Sequence, residues 1–539
     1  MAILSQATFL DLVNDGSDFV TASDVLVAGA AVGLRFPDGF QFGVATAAYQ
    51  VEGAWNVSAT VGLRFPDGFQ FGVATAAYQV EGAWNVSDKT PSMWDDWTQQ
   101  NPHKIPDGST GDVACNSYNK WPEDIRMLKD LGVDYYRFSI SWPRLLPTGL
   151  PNKISQDGAR YYNQLIDALL RNRIQPYVTI YHWDMPRRIY NMGGWQNPLM
   201  ITWFGDFARV VFSLFGDRVK TWLTINEPVL VCDVSSQGWG PGKEDPEIGI
   251  HLCARHVLLA HARAYEIYGE FRESQKGRLS IANQYMWHEP EDPGDEHIAE
   301  LVRQYMIGRY THPIFSAEGG WPPAVERHLA KNSRDEGHAI SRLPPFSKQE
   351  VERIRGSFDF LAFNHYTSQA VRAARGGEAP GARGPMFDVR ELGARTRGRA
   401  EWRAAGNGWL YVYPEGLRKL LGWLKQNYGD VEIIITENGY STAARSLQDD
   451  DRLQYYRDYL KQLLLAIKED GANVTAYTAW SLMDNFEWVD GYTSKFGIYD
   501  VDFSDPERKR RPRKSALFYR DVIRTRSLDV PDPHVKDEL

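Results

Sequence analysis

Eight short apolar segments, rich in β-branched and aromatic residues, recur along the chain with longer stretches of helical spacing between them. They are FQFGVATAAY (69–78), VDYYRFSISW (133–142), QPYVTIYHW (175–183), TWLTINEP (221–228), RLSIANQYMW (278–287), FDFLAFNHYTS (358–368), EIIITENG (432–439) and NVTAYTAWSL (473–482). In YYNQLIDALLRNR (161–173), Tyr162, Leu165, Ile166, Leu169 and Leu170 share one helical face. WPEDIRMLKDLG (121–132), NPLMITWFGDFARVVFSLFGD (197–217) and PEGLRKLLGWLKQNYG (414–429) read the same way, the last closing on a glycine suited to a helix C-terminus. No two-residue hairpin turn joins the strands, so their pairing is parallel. Eight parallel strands alternating with helices predict an α/β fold, a single closed (β/α)8 barrel with long βα loops; an open doubly wound sheet is the lesser alternative.

A barrel of this kind has one place for its first strand, yet VGLRFPDGFQFGVATAAYQVEGAWNVS occurs at 32–58 and again, unchanged, at 61–87. The second copy runs on into SDKTPSMWDDW and the helix from Trp121, whereas the first leads only into another start. Residues 69–78 are therefore assigned to the barrel. Residues 1–60 form an N-terminal extension carrying the duplicated segment outside it, 61–527 the catalytic barrel, and 528–539 a C-terminal tail. An identity this complete points to a recent exon duplication or a gene-model error rather than to a structural repeat.

Composition narrows the partners. Lys plus Arg number 60 against 69 Asp plus Glu, a net charge of -9 that repels a phosphate backbone, so nucleic acid is not expected. No run of 18 apolar residues exists, and no membrane span is expected. The cysteines, Cys115, Cys232 and Cys253, lack CxxC spacing and allow at most one bridge. The terminal Lys536-Asp537-Glu538-Leu539 reads as a retention signal of the endoplasmic reticulum lumen, while MAILSQATFLDLVNDGSDFV lacks a positive n-region, so the two ends disagree on localisation. Sequons stand at Asn56, Asn85 and Asn473; Asn473 opens the eighth strand and is expected to be hidden, which leaves Asn85 the best candidate. Residues 371–404, with Arg372, Arg375, Arg383, Arg395 and Arg397, read as a mobile, solvated loop, and the run ERKRRPRK (507–514) as another solvated segment.

The two-residue period of TWLTINEP puts Leu223, Ile225 and Glu227 on one side before Pro228 ends the strand, and that of EIIITENG does the same for Ile433, Ile435 and Glu437 before Asn438-Gly439 turns the chain. Each strand thus delivers one carboxylate at its C-terminal end, where parallel barrels build active sites. Paired carboxylates suit glycoside cleavage. Spacing alone leaves that reading level with a plainer one, in which each glutamate is tied to an arginine such as Arg137.

QFGVATAAYQVEG, YRFSISWPR, YHWDMP, TINEP, NHYTS, ITENG and AWSLMDNFEWVDGY, in this order, resemble glycoside hydrolase family 1, the retaining β-glucosidase and lactase-type enzymes; the resemblance covers residues 62–527. It implies Glu227 as general acid/base, Glu437 as nucleophile, Asn226 on the sugar 2-hydroxyl, Arg137 and Tyr366 holding the nucleophile ionised and oriented, and Gln79, His182, Trp480, Glu487 and Trp488 as the sugar pocket. The departures are mild: Ile in TINEP where Phe is usual, His in NHYTS and a longer loop after NMGGW. Family members that cleave 6-phosphoglycosides usually have Ser in place of Glu487, which implies a neutral sugar. Plant myrosinases replace the acid/base with Gln and borrow ascorbate, whereas Glu227 is intact, which implies no cofactor; no metal is expected either, because no ligand set accompanies His182. Glucose is the first expectation for the glycone, with galactose or fucose as alternatives, and a retaining geometry implies carboxyls about 5–5.5 Å apart. The substrate is then a small-molecule β-glycoside, with aglycone and oligomeric state open. Two other readings stand beside hydrolysis: transglycosylation at the same site, and a catalytically silent barrel used for binding.

Overall fold

The computed structural model describes residues 63–234, 240–242, 245, 247–376, 378 and 389–535. The first copy of the repeat, Asn56, Arg383 and the terminal Lys536–Leu539 lie outside the described residues.

The eight segments form one closed parallel barrel. Its strands are β1 (Gln70–Ala74), β2 (Tyr135–Ser139), β3 (Gln175–Tyr181), β4 (Thr221–Asn226), β5 (Arg278–Gln284), β7 (Leu361–Asn364), β10 (Ile433–Asn438) and β11 (Val474–Trp480). Strand β1 closes it, pairing Gly72 with Tyr135 of β2 on one edge and with Thr478 of β11 on the other. Tyr135, Tyr177, Leu223, Ala282, Phe360, Ala362, Ile434 and Ala476 make a small cluster of their own inside the barrel, separate from the large core between strands and helices. Tyr135 and Tyr177 stack there at 4.0 Å, and the Tyr135 hydroxyl is 2.7 Å from Thr478 Oγ1, so the barrel is packed rather than hollow.

The helices follow the predicted spacing: Ser117–Leu131, Gln156–Arg171, Met200–Phe215 and Glu415–Tyr428. In the second of these the buried positions include Tyr162, Leu165, Ile166 and Leu169. Gly429, at φ 78°, ends the last of the four in the left-handed region that glycine enters without strain.

Two basic segments read as solvated loops are only partly so among the described residues. Within 371–404, β8 (Ser368–Ala373) pairs antiparallel with β9 (Ala394–Arg397) and parallel with β6 (Trp287–Pro290) in a small sheet. Two of its arginines meet carboxylates: Arg397 donates to Glu291 at 2.5 Å and Arg372 to Glu378 at 2.6 Å. In 507–514, β13 (Arg510–Pro512) pairs with β12 (Tyr499–Val501), Arg510 bonds Asp124 at 3.0 Å, and Arg513 is fully buried against Asp484. A string of charges conceals which of them will meet a partner distant in sequence; that is decided by the fold. Residues beyond 527 also pack, Leu528 and Val530 being buried and Asp532 accepting from Arg457 at 2.5 Å. Asn85 and Asn473 are both exposed; Asn473 precedes β11 at the barrel's N-terminal end instead of being hidden.

Candidate active site

Apart from Arg137, midway along β2, every predicted site residue lies at or beyond the C-terminal end of a barrel strand: Gln79 after β1, His182 after β3, Asn226 ending β4 and Glu227 following it, Tyr366 after β7, Glu437 near the end of β10, Trp480 ending β11, and Glu487 and Trp488 in the following loop. A cavity opens there, lined by Glu227, Glu437, His182, Tyr366, Trp480, Glu487 and Trp488. Gln79, Asn226 and Arg137 stand one contact behind its wall.

The two glutamates arrive by a route that simple alternation does not give. In β4, Leu223 belongs to the barrel-interior cluster and Ile225 to the large core, and the pairing with β5 slips between Leu223 and Asn226. In β10 it is Ile434 that lies inside, while Ile433 and Ile435 join the large core; the pairing with β7 slips between Ile435 and Glu437. Each strand thus has a bulge one turn short of its carboxylate, and the bulge, not the parity of the strand, re-aims the side chain. Glu227 also sits at φ 47°, a left-handed backbone for a residue other than glycine, and Trp183 and Trp488 on the cavity wall share it at 73° and 52°. At Gly439 a Cβ would lie 2.0 Å from the Trp480 carbonyl oxygen, so the turn after Glu437 admits only glycine.

The partners of the two carboxylates differ. Glu437 accepts from the Arg137 guanidinium on Oε1 and from the Tyr366 hydroxyl on Oε2 at 2.5 Å. Arg137 is tied in turn to the Thr436 carbonyl at 2.9 Å, Asn226 Oδ1 at 2.7 Å and Thr179 at 3.1 Å. Glu227 receives a neutral amide, Asn364 Nδ2 at 2.8 Å. Burial and the neighbouring Glu437 charge push Glu227 up to about 8. Burial raises Glu437 as well, but Arg137 and Tyr366 pull the other way, so the first proton of the pair leaves from Glu437.

The amide of Asn226 has its orientation fixed, because its oxygen accepts from Arg137 and from Asn364 (3.1 Å). Its Nδ2 must then donate to His182 Nε2, 3.1 Å away, which leaves the His182 proton on Nδ1. Burial and the Arg137 charge hold that imidazole neutral, well below its ordinary pKa. Gln79 donates to Asn485 at 2.8 Å and to the Phe486 carbonyl at 3.0 Å, and its oxygen is buried without a protein partner, as is His182 Nδ1. One donor and one acceptor are thereby left without a protein partner close to the cavity. Burial and the nearby Asp490, Glu437 and Glu227 charges raise the Glu487 carboxyl well above the usual range.

Sequence reasoning passed over Asn364, which bonds Glu227 and Asn226 and accepts from Thr436 at 2.7 Å. Its signal was available, a lone amide closing the apolar run LAFN. Trp183, Leu230, Gln284, Trp409, Asp490 and Phe496 also line the cavity without having been singled out. A relay behind Glu437 was equally unmarked: Tyr477 donates to Asn438 at 2.6 Å, Asn438 to Tyr455 at 2.9 Å, and Tyr455 to the Tyr366 carbonyl at 2.9 Å.

A family model described as glycosyl hydrolase family 1 matches residues 33–60 and 61–528. The chain belongs to glycosyl hydrolase family 1. As a member of that family it is a hydrolase of O-glycosyl bonds, acting on glycosides. It is 40% identical over 496 residues to myrosinase 1 of Brevicoryne brassicae, covering 91% of this chain and 99% of the relative. It is 39% identical over 505 residues to the cytosolic beta-glucosidase of Homo sapiens, covering 92% and 100%. Among solved family 1 structures, the aphid myrosinase superposes with a TM-score of 0.81 at 39% identity, over 86% of this chain and 99% of that one. The beta-glucosidase of Thermotoga maritima superposes at 0.77 and 34% identity, over 87% and 100%.

Proposed function

We propose that the protein is a retaining β-glucosidase that removes a terminal β-D-glucosyl unit from small glucosides by double displacement. The observation that carries this reading is the unequal partnering of two buried carboxylates facing one cavity: Glu437 is held by a cation and a phenol, Glu227 by a neutral amide. Glu227 enters the cycle protonated and donates to the glycosidic oxygen while ionised Glu437 attacks the anomeric carbon, forming a glycosyl ester; the alcohol leaves. Water then gives its proton to Glu227 and its oxygen to the anomeric carbon, which frees Glu437 and releases the sugar with retained configuration. In this reading Asn226 binds the 2-hydroxyl, Gln79, His182 and Glu487 bind the remaining hydroxyls, and Trp480 and Trp488 complete the sugar pocket.

The test is hydrolysis of aryl β-glycosides by the wild type, Glu227→Gln and Glu437→Gly. Each variant is expected to lose at least about 10³-fold in kcat, and azide is expected to restore Glu437→Gly with an inverted glycosyl azide as product. Turnover equal to wild type in either variant overturns the mechanism. Ranking glucosides against galactosides and fucosides decides the glycone.

We further propose that residues 1–60 lie outside the barrel and that the protein resides in the endoplasmic reticulum lumen. Exposed sequons at Asn85 and Asn473 and the Cys232–Cys253 disulfide support the second point. Endoglycosidase treatment of the native protein is expected to reduce its mass; no change overturns the lumenal assignment.

A further inference from the structure

A phenol hydroxyl in a dry interior is costly unless it is bonded, so its partners report what it is there to hold. Three tyrosines of the outer helix Asp450–Lys468, namely Tyr455, Tyr456 and Tyr459, are fully buried. Tyr459 accepts from the Tyr413 backbone N–H at 3.3 Å, and Tyr456 donates to the Trp480 carbonyl at 3.1 Å. Tyr455 reaches both sides of the Glu437 carboxylate's support. Its hydroxyl donates to the backbone carbonyl of Tyr366, whose own hydroxyl holds Glu437, and accepts from Nδ2 of Asn438, the residue that follows Glu437, each at 2.9 Å.

The direction of each bond is fixed. Asn438 Oδ1 accepts from the Tyr477 hydroxyl at 2.6 Å and its Nδ2 also donates to the His365 carbonyl at 2.6 Å, so the amide donates to Tyr455 and the Tyr455 proton goes to Tyr366. His365 closes the circuit, its backbone N–H donating to the Glu437 carbonyl at 2.9 Å. Tyr366 lies two residues past Asn364, the last of β7, and so outside the strand. A tie at its carbonyl therefore governs where its hydroxyl stands, 2.5 Å from Glu437 Oε2. From these facts we infer that Tyr455 is a positioning residue for the reaction, setting the Tyr366 phenol against Glu437 from outside the catalytic cavity. This inference rests on the reading of Glu437 as the nucleophile. The other charged or titratable groups that face Glu437 are Arg137 of β2, Glu227 after β4 and Glu487 after β11, with neutral His182 after β3, and none of them is changed in the variants below.

The test is the pH–rate profile of Tyr455→Phe on an aryl β-glucoside. This variant keeps the ring and its stack on Tyr459 at 4.1 Å and deletes only the hydroxyl. The acid limb of kcat/KM is expected to move upward by about 0.5–1 pH unit and kcat to fall about 5- to 30-fold, with KM within about threefold of wild type. In a Tyr366→Phe background the same change is expected to add less than about twofold and no further movement of the limb, because the group through which Tyr455 acts is already gone. Tyr459→Phe, one turn along the helix, is expected to leave the limb in place. An unmoved limb in Tyr455→Phe, or a loss that multiplies in full with that of Tyr366→Phe, overturns the inference. Should Tyr455→Phe fail to fold, Tyr477→Phe, which frees Asn438 one bond further back, decides by the same limb: moved upward it upholds the inference, unmoved it overturns it. Infrared titration of the carboxyl band, read as the difference between each protein and its Glu437→Gln counterpart, follows Glu437 without substrate. A band that titrates higher in Tyr455→Phe than in wild type, in a protein that cleaves no β-glycoside, would uphold the tie and refute the glucosidase reading. Hydrolysis with limb and band both unmoved would do the reverse.

Discussion

Glu227 and Glu437 are the same residue type at similar burial, and their partners alone divide the work between them. With Glu227 pushed up to about 8, the proton donor is intact at neutral pH, and kcat/KM is expected to fall tenfold per unit above about pH 8 as it ionises. A pH–rate profile on a β-glucoside checks this. The same shift has a stability consequence of definite sign. The folded state binds the Glu227 proton more tightly than the unfolded state, so its contribution is full below the unfolded pKa near 4.5 and is lost as pH rises towards 8. Glu227→Gln removes that loss and is expected to raise stability relative to wild type by about 1–3 kcal/mol at pH 8 and by little at pH 4.5, read from unfolding at the two pH values. Tyr366→Phe removes one of the groups opposing protonation of Glu437 and is expected to move the acid limb of the profile upward with a 10- to 100-fold loss in kcat. An unmoved limb would deny the tyrosine its orienting part.

At the level of strands and loops, the alternation of TWLTINEP and EIIITENG located both carboxylates at strand ends but misassigned the faces, since a bulge in each strand shifts the parity. Hydrophobic pattern does not reveal a bulge, because the pairing partner that creates it lies elsewhere in the chain. The same holds for Arg513, which sequence placed in a solvated run. It donates to Asp484 at 2.9 and 2.7 Å and to Asp500 at 3.2 Å from a fully buried position, bracing the loop that carries Glu487 and Trp488. Arg513→Ala leaves Asp484 buried without its cation and is expected to cost about 3–5 kcal/mol, measured by denaturant unfolding. A surface arginine would cost less than 1 kcal/mol.

For the molecule as a whole, the described barrel takes its first strand, β1, from the second copy of the repeat. In the second copy, Phe65, Phe69 and Phe71 pack together at 4.8–5.1 Å in tilted and edge-on contacts, Phe71 meets Tyr519 of the C-terminal helix Lys514–Thr525 at 6.0 Å, and β1 pairs on both edges. A closed sheet has no further edge for an identical segment. Deleting residues 1–60 is therefore expected to leave the unfolding midpoint and kcat within error of the full chain, whereas deletion through residue 80 is expected to abolish folding; soluble yield and thermal melts distinguish the two. The eight strands, the helices between them and the carboxylates at two strand ends were all decided by sequence, because periodicity and strand termination are local properties of consecutive residues. Which carboxylate keeps its proton, that Asn364 joins the pair, and that arginines 510 and 513 are buried were decided only by the tertiary structure. Each of these depends on groups tens to hundreds of residues apart being brought within hydrogen-bonding or van der Waals distance, and burial and electrostatic strength are set by that arrangement, not by neighbours in the chain.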